Sequence, residues 1–150
     1  MTTTVSTAKD LLGLVGRPLG TTEWRTIDQE RVNLFADATD DHQWIHVDPE
    51  RAAAGPFGGT IAHGYLTLSL APLFIAETLV VEQLQAALNY GLNKVRFPAP
   101  VPVGSRVRAA VELAEAQEKP AGIEAVIRLT YEVDGADRPA CIAETVVLYR

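Results

Sequence analysis

The strongest constraint on the fold of this chain is a change of texture at residue 84. Residues 61–81 form its most apolar stretch and read as one long, mostly buried helix, in which Pro72 forces a kink or a restart. From Leu84 onward the segments 85–96, 105–116, 123–133 and 140–149 are rich in Val, Ile, Leu and Tyr. Between them stand Pro98, Pro100, Pro102 and Gly104, then Lys119-Pro120-Ala121-Gly122, then Asp134-Gly135-Ala136-Asp137. Strand-length segments joined by such short breakers predict an antiparallel sheet. The apolar helix has to bury its surface, and one face of that sheet is its partner.

The first sixty residues add smaller elements. Ser6 is placed to cap a short helix ending at Val15, with Gly16 as its stop and Pro18 beyond. Residues 21–27 alternate enough to form a first strand. Asp28 is a natural N-cap, and Val32, Leu34, Phe35 and Ala38 give an amphipathic helix over 29–39. Asp48-Pro49 starts a further short helix over 49–54, closed by Gly55-Pro56. The expected fold class is therefore α+β, as one domain over residues 1–150 with no linker or repeat dividing it. Exposed strand edges and apolar faces predict association into at least a dimer.

Composition excludes several kinds of protein. An apolar fraction of 47% fills a core, and a charged fraction of 21% without low-complexity tracts argues against disorder. A net charge of −6 argues against nucleic acid or a membrane surface as a partner, since both demand a dense basic face. No run approaches the roughly twenty apolar residues of a membrane span. The N-terminus lacks a signal-peptide pattern, so a cytoplasmic location is expected. Cys141 stands alone and reads as a small core residue. Three scattered histidines lack metal-ligand spacing, so no metal is expected.

Chemistry concentrates in residues 35–64, FADATDDHQWIHVDPERAAAGPFGGTIAHG. Asp41 lies five residues before His46, close enough on one polar turn for the two to share a water or a proton. His63-Gly64 heads the apolar run, where a glycine presents a bare backbone N–H to a developing oxyanion. His42 lies in the same turn and reads as solvated.

Phe35, Thr39, Asp41, Ile45 and His46, then Val47-Asp48-Pro49 and Ala52-Ala53-Ala54, follow the motif of a known family. Ile61-Ala62-His63-Gly64 and the phrase from Val95 to Gly104 also match it. On these residues the chain resembles the MaoC-like, (R)-specific enoyl-CoA hydratases, most closely their actinobacterial single-hot-dog members. Three positions depart from the pattern: Asp40 replaces its glycine, Gln43 its asparagine and Trp44 its proline.

The resemblance implies a hot-dog fold, in which an antiparallel sheet wraps a long central helix. It also implies reversible hydration of trans-2-enoyl-CoA to (R)-3-hydroxyacyl-CoA in a homodimer. No cofactor is implied beyond the CoA carried by the acyl thioester substrate. By analogy Asp41 and His46 grip the attacking water, either one serving as formal base, and the Gly64 N–H holds the thioester oxygen. Gln43, Trp44, Gly59 and His63 are the expected substrate-side residues, with His63 orienting the helix start. Residues 52–59 would arch over the acyl chain. Lys94 and Arg96, clustered with Arg106 and Arg108, would meet the CoA phosphates. The rivals are a hot-dog thioesterase, which usually carries an acid on the central helix, and a non-catalytic acyl-CoA-binding subunit. Glu77 is the only acid on that helix and lies too far along it to serve.

Overall fold

The computed structural model describes residues 1–150, and its eight strands begin with a short one. β1 (Thr3–Thr7) leads into a 3-10 helix (Ala8–Leu14). Ser6 therefore lies within a strand, and the turn into the helix starts at Thr7, whose N–H and hydroxyl both donate to the Asp10 carboxylate. β2 (Pro18–Thr21) and β3 (Arg25–Thr26) replace the single expected strand over 21–27. Both pair with the same neighbour, and the interruption falls where Thr22 bonds Ala109 through its side chain as well as its N–H.

α1 (Gln29–Thr39) matches its expected bounds, and Asp28 caps it by accepting from Arg31 N–H at 2.8 Å. Two short helices follow, α2 (Trp44–Val47) and α3 (Pro49–Ala53). The apolar run is not one helix. It divides at Leu70 into α4 (Gly64–Ser69) and α5 (Ala71–Thr78), with Pro72 in the first turn of α5, where its missing N–H costs nothing. The run then leaves the helix altogether as β4 (Leu79–Gln83), paired in parallel with β1. Periodicity over 79–83 carried no sign of this, because its partner strand lies more than seventy residues away.

The four C-terminal strands appear close to their expected bounds: β5 (Ala87–Arg96), β6 (Arg106–Lys119), β7 (Gly122–Val133) and β8 (Cys141–Tyr149). Together with β2 and β3 they make one antiparallel sheet in the order β2-β6-β7-β8-β5, with β3 also on β6. Alternate residues of β6, β7 and β8 point into the core, among them Val107, Val111, Ile127, Leu129 and Ala143. Phe74 of α5 is fully buried against this face, edge-on to Tyr131. The outer face carries cross-strand ion pairs, Arg128 joining Glu112 to Glu144 and Arg108 joining Glu132. Pairs this exposed contribute little to stability.

β5 and β6 are consecutive in sequence but lie on opposite sides of β7 and β8. The connection 97–105 therefore has to cross the sheet, and in doing so it runs beside residues 60–62. Ala62 N–H donates to the Val101 carbonyl at 2.8 Å and Val103 N–H to the Thr60 carbonyl at 2.9 Å. This crossing brings Phe97 against the start of α4.

The Tyr131 hydroxyl donates to the Leu68 carbonyl at 3.1 Å and fixes the last turn of α4 to the sheet. Thermal unfolding separates the two kinds of support. Phe74→Ala is expected to cost about 3–5 kcal/mol, because it opens a cavity. Tyr131→Phe removes one hydrogen bond and is expected to cost only about 1 kcal/mol.

Candidate active site

His46 sits on the single turn of α2, 7% exposed. Its Nδ1 lies 2.7 Å from the Ile61 carbonyl, which can only accept, so Nδ1 carries the proton. Nε2 is left as a bare acceptor, with no protein partner. Burial is the largest influence on this imidazole and lowers its pKa from the ordinary 6.5. The bond to Ile61 opposes that effect, nearby His63 reinforces it, and Asp41 opposes it. The net result favours a neutral ring with a free lone pair.

His63, 3% exposed, stacks on His46 with ring centroids 3.9 Å apart and meets Phe35 on its other side. Its Nε2 donates to the Asp41 backbone carbonyl at 3.0 Å, and its Nδ1 is buried without a partner. The ring thus ties the Asp41 turn to the start of α4. The Asp41 carboxylate is about half exposed, and its Oδ2 lies 4.0 Å from His63 Nε2. One carboxylate oxygen of Asp41 and one ring nitrogen each of His46 and His63 fall within 4.8 Å of one another. That is the span a single water bridges. A metal fits this cluster poorly. With one His63 nitrogen committed to the carbonyl and the other sealed, only two protein ligands would remain, fewer than a zinc site uses.

His46 and Gly64 line one cleft of about 360 Å³, together with Phe57, Thr67, Phe97 and Val101. Gly64 is the first residue of α4, and its N–H donates to no protein acceptor. A Cβ at Gly64 would stand 3.2 Å from the Phe97 ring, so packing as well as backbone access calls for glycine here. Because α4 has only six residues, the exposed N–H itself matters more than a helix dipole.

Several expected site residues lie elsewhere. Trp44 does not line the cleft; its ring packs on the Arg51 guanidinium at 4.4 Å and against Gly55. Gln43 precedes α2 in an exposed position, and Gly59 is also outside the cleft, leaving Phe57 as the one residue of 52–59 that reaches it. The expected basic cluster is split. Arg106 and Arg108 lie on β6, over Trp24 and paired with Asp134 and Glu132. Lys94 and Arg96 lie on β5, across two intervening strands, exposed and without a carboxylate partner. His42 is exposed and pairs with Asp37, as its reading as a solvated residue implied. Glu77 pairs with Arg25 outside the cleft. Cys141 is buried, which pushes its thiol up to about 12 and leaves it unreactive at neutral pH.

Sequence reasoning missed Phe97, whose only signal was its place in the Val95–Gly104 phrase. It also missed Gln29 and Thr60, whose polar side chains meet behind His46.

Asp40 explains its own departure from the motif. It ends α1 with φ 60° and ψ 22°, the only non-glycine residue with positive φ. Glycine adopts that backbone freely, and Asp is among the few other residues that tolerate it. Asp40→Gly is expected to change stability by less than about 1 kcal/mol, relief of strain being offset by a more flexible unfolded chain. Asp40→Val is expected to cost about 1–2 kcal/mol. Chemical denaturation checks both, and turnover should stay within about threefold of wild type in Asp40→Gly.

With this geometry in view, known proteins supply the context. The MaoC like domain matches residues 10–134. A relative in Mycobacterium tuberculosis, 3-hydroxyacyl-thioester dehydratase Z, is 56% identical over 147 residues, covering 97% of each chain. Nodulation protein N of Rhizobium leguminosarum is 48% identical over 93% of this chain and 88% of its own length. Among solved structures, the (R)-hydratase from A. caviae involved in PHA biosynthesis superposes with a TM-score of 0.76 at 26% identity. That superposition covers 91% of this chain and 96% of the other. No helix is long and apolar enough to cross a membrane. A match over most of its length and a hot-dog architecture place this chain in the MaoC-like dehydratase family, as an enzyme of the hydro-lyase class.

Proposed function

We propose that this protein is an (R)-specific enoyl-CoA hydratase, interconverting trans-2-enoyl-CoA and (R)-3-hydroxyacyl-CoA with an Asp41/His46 dyad. The observation that carries this reading is one apolar cleft lined by His46, whose Nε2 has no protein partner, and by Gly64, whose N–H is unbonded. Hydration needs a base for water and a donor for the thioester oxygen as it gains enolate character.

In this reading His46 Nε2 takes a proton from a water held jointly with Asp41, and the water oxygen bonds to C3. The electrons of the double bond move toward the thioester carbonyl, whose oxygen the Gly64 N–H holds. The dyad then returns the proton to C2, so that H and OH have been added and no cofactor is consumed. Phe57, Phe97 and Val101 suit the acyl chain, and their burial of it would exclude bulk water from the enolate. Lys94 and Arg96, at the end of β5 just before Phe97, are the remaining candidates for the CoA phosphates.

A homodimer is part of the same proposal. β5 is exposed over nearly its whole length, offers an unpaired outer edge, and displays Leu88, Tyr90 and Leu92 to solvent. A ten-residue exposed edge with apolar side chains of this kind is a template for another strand, and a second copy of the chain supplies one.

Following enoyl absorbance and free thiol together tests the activity. Loss of the enoyl signal without thiol release is expected, with an (R)-configured product. Thiol release at a comparable rate would assign the protein to the thioesterases. Asp41→Asn and His46→Gln should each lower kcat by about 10²- to 10⁴-fold. Because burial lowers the His46 pKa, the acid limb of the kcat/KM profile is expected below 6.5. Activity should therefore persist as pH falls through 6.5 and be lost only when the ring protonates.

A further inference from the structure

Gln29, the first residue of α1, is half-buried behind α2. Its side-chain amide bonds one residue of its own helix and two other segments. Nε2 donates to the His46 backbone carbonyl at 2.8 Å and to Asn33 Oδ1 at 3.0 Å, and Oε1 accepts from the Thr60 hydroxyl at 2.7 Å. Both amide hydrogens and the amide oxygen are thus engaged. Turning the group over would set its oxygen against the His46 carbonyl, which can only accept, so one orientation is enforced.

The residue after Thr60 is Ile61, and Ile61 grips α2 twice. Its carbonyl accepts from His46 Nδ1 at 2.7 Å, and its N–H donates to the Ile45 carbonyl at 3.0 Å. The bonds close a circuit. Gln29 holds the His46 main chain, Gln29 also holds Thr60, and the neighbour of Thr60 holds the His46 ring. Thr60 is itself 8% exposed, so water competes poorly for these bonds. A helix of four residues cannot keep its own geometry, since one turn of helix is unstable without outside support. The hydrogen bonds that α2 receives at His46 from outside its own turn come from this circuit, beside the stacking of His63.

We propose that Gln29, acting through Thr60, is a positioning residue that holds His46 in the Nδ1–H tautomer with Nε2 aimed into the cleft. The proposal rests on the hydratase reading for its kinetic consequence but not for its structural one. Gln29 touches neither the cleft nor any reacting atom; its effect passes entirely through His46. Misplacing a base by about 1 Å costs on the order of 10²-fold in rate. Substrate binding, governed by the cleft walls, is not altered by the circuit.

Two measurements on the full-length protein test this. In Gln29→Leu and Thr60→Val, kcat for enoyl-CoA hydration is expected to fall about 10- to 100-fold with KM within about threefold. Thr60→Ser, which retains the hydroxyl, is expected to recover the rate that Thr60→Val loses. Independently of turnover, the chain has only three histidines, so the His46 ring nitrogens can be assigned by ¹⁵N NMR. The wild type is expected to show His46 as the Nδ1–H tautomer alone, and both variants to show the Nε2–H tautomer as well. An unchanged tautomer and an unchanged kcat in folded Thr60→Val would overturn the proposal. So would a change confined to KM, or a rate loss without a tautomer change. If the wild type does not hydrate enoyl-CoA at all, the activity assignment fails, and the tautomer result alone decides the role of Gln29.

Discussion

The inward face of β6, β7 and β8 closed over α4 and α5 is the contact on which the other features depend. Phe74, Leu66 and Ala71 fill that face, and the Tyr131 hydroxyl ties the last turn of α4 to it. A six-residue helix would not persist alone. Seated on the sheet, it holds its first residue at a fixed point in space. Gly64 and the ring of His63 take their positions from that anchor, and the Asp41 turn takes its own from His63.

The site is built by committing one imidazole proton of each histidine to the backbone. His46 gives its Nδ1 proton to Ile61, and His63 gives its Nε2 proton to Asp41, both to backbone carbonyls. Neither bond requires a charged partner. Burial of the stacked pair then disfavours protonation of His46, because a cation there would be poorly solvated and close to a second ring. The Ile61 carbonyl belongs to a segment pinned elsewhere: its neighbours Ala62 and Thr60 pair with the crossing segment that brings Phe97 to Gly64. His46, the unbonded Gly64 N–H and the apolar wall of Phe97 and Val101 thus share one scaffold, which is how a 360 Å³ cleft contains all three.

Much of this was legible in local chemistry. Asp28 capped α1 as its side chain implied, and prolines and glycines ended the C-terminal strands within a few residues of their expected bounds. The spacing of Asp41, His46, His63 and Gly64 pointed to one site, and the fold brings all four into one region. Other expectations failed for a common reason. Residues 79–81 closed an apolar run that looked helical, yet they became part of a strand because β1 lay beside them. Arg106 and Arg108 seemed to join Lys94 and Arg96, but consecutive strands were not neighbours in the sheet. Trp44 stands two residues before His46 in sequence and turns its ring to Arg51 instead. Gln29 carried no motif at all, and its bonds to Thr60 and His46 became visible only in the tertiary structure.

By itself the sequence determined where elements start and stop, which faces are apolar, and which residues have the chemistry to act on a carbonyl compound. These properties are local: a cap, a breaker or a periodic pattern acts within a turn or two of its own position. Only the tertiary structure decided the strand order, the division of the central helix, the tautomer of His46 and the wall opposite Gly64. Each of those depends on a partner distant in sequence, whether a strand, a carbonyl or an aromatic ring, and that pairing is set by burial of the whole chain.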